Sequence, residues 1–320
     1  MKKLKIGVLG CANIAKRSVI PAILSIPEFE LVAIASRTLA KANEFTAEFG
    51  GEAIEGYQKL MDRKDIDAIY MPLPTGLHEE WIMKALVANK HVLVEKSLAM
   101  SHVSAKKMVQ NAKEKDLLIM ENFMFLYHGQ HRFVKQLIEE GKIGELRCFR
   151  SSFGFPPLAN DNFRYNKELG GGALLDAAAY TVRASQLFLG NDLEVAASTL
   201  NYNTNEVDIF GGAYLKSKTG VFSEVAFGFD NFYQCNYELW GSKGKITAQR
   251  AFTPTAHFKP TITLEIQGEV FNYEVNAENH FVNILNEFKR CIFENDRDKK
   301  YAEILNQSRL LQELKDKIND

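Results

Sequence analysis

Residues 5–15 read Lys5-Ile6-Gly7-Val8-Leu9-Gly10-Cys11-Ala12-Asn13-Ile14-Ala15. An apolar strand candidate, Lys5–Leu9, runs into a glycine, and a helical pattern follows over Ala12–Ser25. Strand, turn and helix in this order form the setting in which G-x-G-x-x-G/A holds a dinucleotide. Gly10 permits the tight turn, and Ala15 lets helix and strand pack closely. Ala12 replaces the middle glycine, and its methyl still allows fairly close backbone approach to a pyrophosphate seated on the helix N-terminus. The cofactor contacts expected here are Gly10, Ala12, Asn13 and Ile14. A degenerate motif of this kind also occurs as a purely structural turn, so the strand–turn–helix context carries the functional reading.

Outward from this stretch, apolar runs alternate with helical patterns. Strands are expected at Leu31–Ala35, Ile66–Met71, His91–Glu95 and Leu117–Glu121, and helices at Leu39–Phe49, Glu79–Asn89 and Ser104–Lys115. Such apolar strands spaced by helices indicate a parallel sheet covered on both faces, a doubly wound α/β domain. After Asn122 the pattern changes. A helix near Gln130–Glu140 leads to Glu145–Phe153, and a helix near Ala173–Leu189 is followed by strand-like segments that include Val195–Tyr202, Phe210–Lys216, Val221–Phe229, Tyr233–Trp240, Gly244–Arg250, Thr261–Ile266 and Phe271–Val275. Their alternation and turn signals predict a large, mostly antiparallel open sheet with helices on one face. Helices near Phe281–Phe293 and Ala302–Lys317 close the chain. The expected organisation is a nucleotide-binding domain over 1–122, an α+β domain over 123–300, and a C-terminal helix over 301–320 packing back toward the first domain.

Composition narrows the class. The 320 residues suit two domains, and 46 % apolar with 25 % charged residues exclude general disorder. The 39 basic and 40 acidic side chains nearly cancel, so a dedicated nucleic-acid binder is not expected. No apolar run approaches the ~20 residues of a membrane span. Met1-Lys2-Lys3 ahead of Val8-Leu9-Gly10-Cys11 imitates a lipoprotein signal, but Lys5 interrupts it and the apolar stretch is too short. A cytoplasmic location is expected. The cysteines (11, 148, 235, 291) show no CxxC pairing, so neither a disulfide frame nor a metal site is expected.

The second strand bears on the cofactor. An NAD-binding domain usually ends this strand with Asp or Glu for the ribose 2′-hydroxyl. Here it ends Ala35-Ser36-Arg37. Serine donates to a phosphate and arginine pairs with its charge, which predicts NADP; the competing reading is a surface arginine capping a helix. Glu95-Lys96-Ser97 ends another strand at the carboxyl edge of the sheet, where ligands bind. A lysine there can reach a substrate oxygen, or simply be solvated. Gly170-Gly171-Gly172 introduces a helix, mostly apolar, with Asp176, Tyr180 and Arg183 at helical spacing on one face. Polar groups unpaired in a core are costly, so this stripe is either functional or solvent-facing, and the alanines around Tyr180 favour the former.

Taken together, Gly10…Ala15, Leu73-Pro74-Thr75…His78, Lys90-His91-Val92-Leu93-Val94-Glu95-Lys96 and Gly170-Gly171-Gly172…Asp176…Tyr180 resemble the glucose-fructose oxidoreductase / inositol dehydrogenase (Gfo/Idh/MocA) family. The resemblance spans nearly the whole chain. Ser97 stands where the family usually has proline. Tyr180 stands where many members have histidine, as in a subgroup that includes NADPH-dependent nucleotide-sugar 3-ketoreductases. Further stretches similar to those ketoreductases are Met71-Pro72-Leu73-Pro74, Met120-Glu121-Asn122-Phe123-Met124-Phe125-Leu126 and Arg164-Tyr165.

The resemblance implies hydride transfer from NADPH to a sugar ketone. Tyr180 would donate the proton, Lys96 would stabilise the developing oxyanion, and Asp176 would orient Lys96 or bind a substrate hydroxyl. Leu73, Pro74 and His78 would contact the cofactor at its nicotinamide half, with His78 equally readable as a helix-start residue, and Glu95 and Lys96 would also contact the cofactor. Asn122 would touch substrate or nicotinamide. Arg164 would bind a phosphate of cofactor or sugar nucleotide, or lie at the surface. The aromatic-rich segment Phe222–Trp240 reads mainly as packing, with sugar stacking or an oligomer face as other uses. The implied partners are a small-molecule sugar or sugar nucleotide and a second copy of the chain, in a homodimer or homotetramer through the C-terminal sheet; nucleic acid and membrane are not implied. Two other readings stay open: an NADP-dependent dehydrogenase of a free aldose or trans-dihydrodiol, and a non-catalytic NADP-binding regulator.

Overall fold

The computed structural model describes residues 3–317; Met1, Lys2 and residues 318–320 of the expected terminal helix lie outside the described residues. The chain forms two compact units, residues 1–123 with 281–305, and residues 124–280 with 306–320.

The first unit contains β1 (Leu4–Leu9), α1 (Ile20–Leu24), β2 (Phe29–Ser36), α2 (Leu39–Phe49), β3 (Glu52–Glu55), α3 (Tyr57–Met61), β4 (Ala68–Met71), α4 (His78–Val87), β5 (His91–Val94), α5 (His102–Glu114) and β6 (Ile119–Glu121). The strands form one parallel sheet in the order β3-β2-β1-β4-β5-β6. Ile6, Val8, Ile34, Ile69, Val92 and Leu93 are fully buried, as strands covered on both faces require. The doubly wound sheet expected from the alternation is therefore the one observed. Sequence reading missed β3 and α3. In β3 only Ile54 is buried and pairing is with β2 alone, so no apolar run marks this edge strand.

The first helix differs from a regular one. Residues 15–19 form a π turn, in which the Ile20 N–H bonds to the Ala15 carbonyl, before α1 begins. Pro21 has no N–H to give a carbonyl one turn back, and the wider turn precedes it. Residues 281–305 count with the first unit, earlier than residue 301. The reason lies in α8 (His280–Phe293) and the start of α9 (Asp298–Asp316). Lys289 pairs with Glu28 at 3.0 Å, while Tyr301 and Ile304 join the apolar core that contains Leu117 and Ile119.

The second unit contains α6 (Gly129–Glu139), β7 (Leu146–Gly154), a π turn (Leu174–Ala178) continued by α7 (Ala179–Leu189), and β8 (Glu194–Asn201). Then come β9 (Phe210–Lys216), β10 (Phe222–Gly228), β11 (Gln234–Gly241), β12 (Gly244–Ala248), β13 (Thr261–Ile266) and β14 (Glu269–Glu274). The sheet order is β14-β13-β12-β11-β7-β10-β9-β8, antiparallel except for β7 beside β10. α7 packs on β7 and β10, over buried Phe149, Phe153, Val225 and Tyr237. The opposite face of the sheet leaves Tyr214, Trp240 and Val270 exposed among paired charges, with Arg150 between Glu224 (2.6 Å) and Glu238 (3.4 Å). Among the described residues no helix is long and apolar enough to cross a membrane.

Candidate active site

The order of the parallel sheet reverses between β1 and β4, the point where open α/β sheets bind ligands at their carboxyl ends. A cavity of about 680 Å³ opens there, within the range of small-molecule sites. Gly10, Cys11 and Ala12 line one part, and Pro72, Leu73 and Pro74, which follow β4, line another. Gly10 has φ +120°, and a Cβ on it would stand 2.9 Å from Leu73 Cδ2. The backbone approach at this turn therefore depends on glycine. Ala12 accepts from the Lys16 amide at 3.1 Å, so Asn13 and Ile14 form the first turn, where amides have no partner within the helix. Both lie beside the cavity-lining residues and not among them.

The third part of the cavity is lined by Ser36, Arg37, Thr38, Lys41 and Tyr57. Thr38 caps α2, accepting from the Lys41 amide at 3.4 Å. The cap places Lys41 in the first helical turn, near Arg37. An exposed arginine, a lysine and a helix N-terminus thus surround one end of the cavity, a setting that favours a phosphate. Sequence reading found Ser36 and Arg37 but missed Thr38, Lys41 and Tyr57. The usable signal was the threonine cap, which brings the residue three positions on to the same helix end. Lys41 also pairs with Glu44 at 2.6 Å, a contact at the exposed surface.

The carboxyl ends of β5 and β6 carry Glu95, Lys96 and Asn122. Tyr70 (2.7 Å) and Asn122 Nδ2 (2.6 Å) both donate to Glu95 Oε1. Burial pushes the Glu95 carboxyl up, against the pull of these donors and of Lys96. Asn122 is 1 % exposed, and its Oδ1 has no hydrogen-bond partner among the described residues. The Lys96–Ser97 peptide is cis.

His78 departs from the expected nicotinamide contact. Its ring is fully buried, with Nε2 2.8 Å from the Leu73 carbonyl and Nδ1 2.9 Å from the Ser97 carbonyl. Burial holds the imidazole below its ordinary range, and a neutral ring donates to one of these carbonyls at a time. His78 therefore sits between the loop after β4 and the turn after Lys96, bonding to the carbonyl of one or the other.

In the second unit, Arg164 Nε donates to Asp176 Oδ2 at 2.5 Å. Within this unit the partner of Asp176 is thus an arginine from the turn at Phe163–Tyr165, a pairing the sequence did not suggest. Arg164, expected at a phosphate or at the surface, thus has its Nε on a carboxylate while its side chain stays 30 % exposed. The three glycines bring that turn close: Gly171 and Gly172 donate to the carbonyls of Asn166 and Arg164, each at 2.9 Å. A Cβ on Gly171 would stand 2.3 Å from the Arg164 oxygen.

Tyr180 is 6 % exposed, with its hydroxyl 3.9 Å from Met124 Sδ. Its ring lies between Phe153 (centroids 4.9 Å apart, edge to face), Phe125 (5.7 Å) and Phe252 (5.7 Å). These three rings lie outside the aromatic-rich segment Phe222–Trp240 singled out in the sequence. Arg183 is 7 % exposed, and its Nη1 donates to Gln186 Oε1 at 3.2 Å. The π turn over Leu174–Ala178 changes the angular spacing that a regular helix would give these side chains. Among the described residues no group of three or more His, Cys, Asp or Glu side chains gathers to hold a metal ion.

Comparisons with known proteins agree with this geometry. Residues 4–123 match the oxidoreductase family with the NAD-binding Rossmann fold, and residues 131–247 match the GFO/IDH/MocA C-terminal domain. The chain is 46 % identical over 292 residues to a dTDP-3,4-didehydro-2,6-dideoxy-α-D-glucose 3-reductase of Saccharopolyspora spinosa, covering 91 % of this chain and 88 % of that protein. It is 42 % identical over 301 residues to the 3-reductase of the same description from Actinomadura kijaniata, covering 94 % and 91 %. A crystal structure of KijD10, a 3-ketoreductase from Actinomadura kijaniata in complex with NADP and TDP-benzene, superposes with a TM-score of 0.96 at 40 % identity, over 99 % of this chain and 98 % of that one.

Proposed function

Because the chain belongs to the Gfo/Idh/MocA oxidoreductase family, we propose that it is an NADPH-dependent reductase of a keto group on a dTDP-linked deoxysugar. The observation that carries the cofactor is the cavity end at Ser36, Arg37, Thr38 and Lys41, which holds two cations and no carboxylate. The substrate class is supported by the 3-reductases matched over nine-tenths of the chain. The residues fit the cofactor: a glycine whose Cβ would collide with Leu73 frames the pyrophosphate turn, and cations flank the ribose end.

NADPH, when bound, supplies the hydride. Arg37 and Lys41 hold its 2′-phosphate, Ser36 donates to it, and the amides from Gly10 to Ile14 face the pyrophosphate. Leu73 and Pro74 shape the wall nearer the nicotinamide. Asn122, with Nδ2 fixed on Glu95, offers Oδ1 as an acceptor for an amide group. Tyr180 holds the proton destined for the sugar oxygen. Lys96 supplies positive charge for the oxyanion. Asp176 and Arg164 bind sugar hydroxyl and phosphate oxygens respectively. The exposed Tyr214, Trp240 and Val270 on the open sheet support a homodimer or homotetramer through that face. The reading places the enzyme in the cytoplasm.

The test is NADPH oxidation with a panel of dTDP-linked keto-deoxysugars, free aldoses and trans-dihydrodiols. Turnover confined to the nucleotide-linked ketones is expected. Equal or better kcat/KM with a free aldose and NADP⁺ would replace this reading with a sugar dehydrogenase, and cofactor binding without turnover on any compound would replace it with a regulator.

A further inference from the structure

We propose that Asp208 is a positioning residue for this reaction: it clamps the first turn of the helix that carries Asp176 and Tyr180, and so sets where those side chains stand. The inference rests on the reading of that helix given above. Asp208 lies between β8 and β9, remote in sequence from the helix it touches, and is 7 % exposed. Its Oδ2 accepts from the Leu174 amide at 2.6 Å, and its own carbonyl accepts from the Ala173 amide at 2.9 Å. These are the leading amides of the helix, which have no acceptor within it. One residue from another segment therefore caps both.

Gly172 makes this approach possible. Its φ is +108°, and a Cβ there would stand 2.3 Å from Asp208 Oδ1. Gly171 makes the matching approach to the Arg164 carbonyl on the turn at Phe163–Tyr165. The helix start is thus held by Asp208 and by the turn that bears Arg164. The clamped segment is the π turn Leu174–Ala178 itself, which contains Asp176 and leads within two residues to Tyr180. A shift at Leu174 moves the Asp176 carboxylate relative to Arg164, and a small misplacement of catalytic groups costs rate out of proportion to stability.

Charge strengthens the clamp. An ionised carboxylate accepts an amide hydrogen bond more strongly than a carboxylic acid, and it suits a helix N-terminus. Burial pushes the Asp208 carboxyl up to about 6, against the amides of Leu174 and Ala173 and the charge of Lys315 on α9; Tyr202, just after β8, also interacts with it. The clamp is charged at neutral pH and weakens below about pH 6.

The experiment compares Asp208→Asn, Asp208→Ala and Tyr180→Phe with the wild type, measuring kcat and both KM values between about pH 5 and 8 with NADPH and a dTDP-linked keto-sugar. Asp208→Ala is expected to lower kcat about 10- to 100-fold with the KM for NADPH unchanged. Asp208→Asn, which keeps an acceptor, is expected to recover most of that loss at neutral pH. It should also lack the wild-type fall in kcat below about pH 6. Wild-type kcat in Asp208→Ala overturns the proposal, as does an acid limb retained by Asp208→Asn. If Asp208→Ala does not fold, the pH profile of Asp208→Asn decides alone. Full activity in Tyr180→Phe would instead refute the reading of the helix, leaving the two failures distinguishable.

Discussion

Arg164 and Asp176 form a charge-assisted pair at 2.5 Å, with the Arg164 guanidinium also 4.7 Å above the Phe163 ring. The two side chains are 30 % and 16 % exposed, so the pair is neither fully dry nor freely solvated. Hydrogen bonds to charged groups contribute roughly 1.5–3 kcal/mol, and partial exposure lowers that. A double-mutant cycle of Arg164→Ala and Asp176→Ala, read by urea unfolding, is expected to give a coupling of about 1–2 kcal/mol. Arg164→Ala should also raise the KM for the dTDP-sugar and leave that for NADPH in place. A coupling near zero would mean that the pair is incidental to the helix start.

Arg37 and Lys41 should determine the choice between the two dinucleotides. Arg37→Ala is expected to lower the ratio of kcat/KM for NADPH over NADH by roughly 10- to 100-fold, as expected for losing one charge-assisted phosphate contact. Lys41→Ala should act in the same direction and more weakly, because Lys41 also pairs with Glu44. An unchanged ratio in both variants would remove the 2′-phosphate from this end of the cavity.

Tyr180→Phe and Lys96→Ala each remove a group assigned to the sugar oxygen. Each is expected to lower kcat by about 10²–10³ while NADPH still binds, as measured by fluorescence titration. Turnover close to wild type in both variants would require another proton donor.

Much of this arrangement was legible in the chain because the relevant signals are local. β1, β4 and β5 are apolar runs that end at Gly10, Pro72 and Glu95, and burial on both faces leaves such runs little other choice. β3 was not legible, since Glu52-Ala53-Ile54-Glu55 buries one side chain and lies at an edge. The π turns at Ala15–Val19 and Leu174–Ala178 were hidden as well, because their apolar spacing also suits a regular helix. His78, Asp176 and Asp208 illustrate a different limit. Their roles come from partners at Leu73 and Ser97, at Arg164, and at Leu174, and sequence spacing does not reveal such pairings.

Stability should fall on acidification from the ordinary histidine range. Burial holds His131 and His280 at about 3 and His91 at about 4 in the folded chain. The unfolded chain binds these protons near pH ~6.5, so it takes up more protons than the fold between there and about 3–4. Their contribution is full above ~6.5 and is lost as the pH falls through that window. Asp208 has the opposite sign: its raised pKa makes the fold bind a proton sooner, favouring the fold as the pH drops through about 6. Urea midpoints measured from pH 7 to 4 are expected to decline overall, because the lowered histidines, His78 and His128 among them, outnumber the raised carboxyls of Asp208 and Glu95. Asp208→Asn should decline more steeply than the wild type, having lost the opposing term. A midpoint that rises over this range would reverse the assignment of these histidines as buried and neutral.

Transfer of deuterium from NADPH deuterated at the transferring position of C4 to a dTDP-linked 3-keto-deoxysugar, followed by mass spectrometry and NMR of the product, probes the proposed chemistry itself. Reduction of that ketone should place one deuterium on carbon 3 of the sugar, with the dTDP linkage intact and one NADP⁺ formed per sugar. Oxidation of NADPH without deuterium in the nucleotide sugar, or no reaction beside ready turnover of a free aldose, would contradict it.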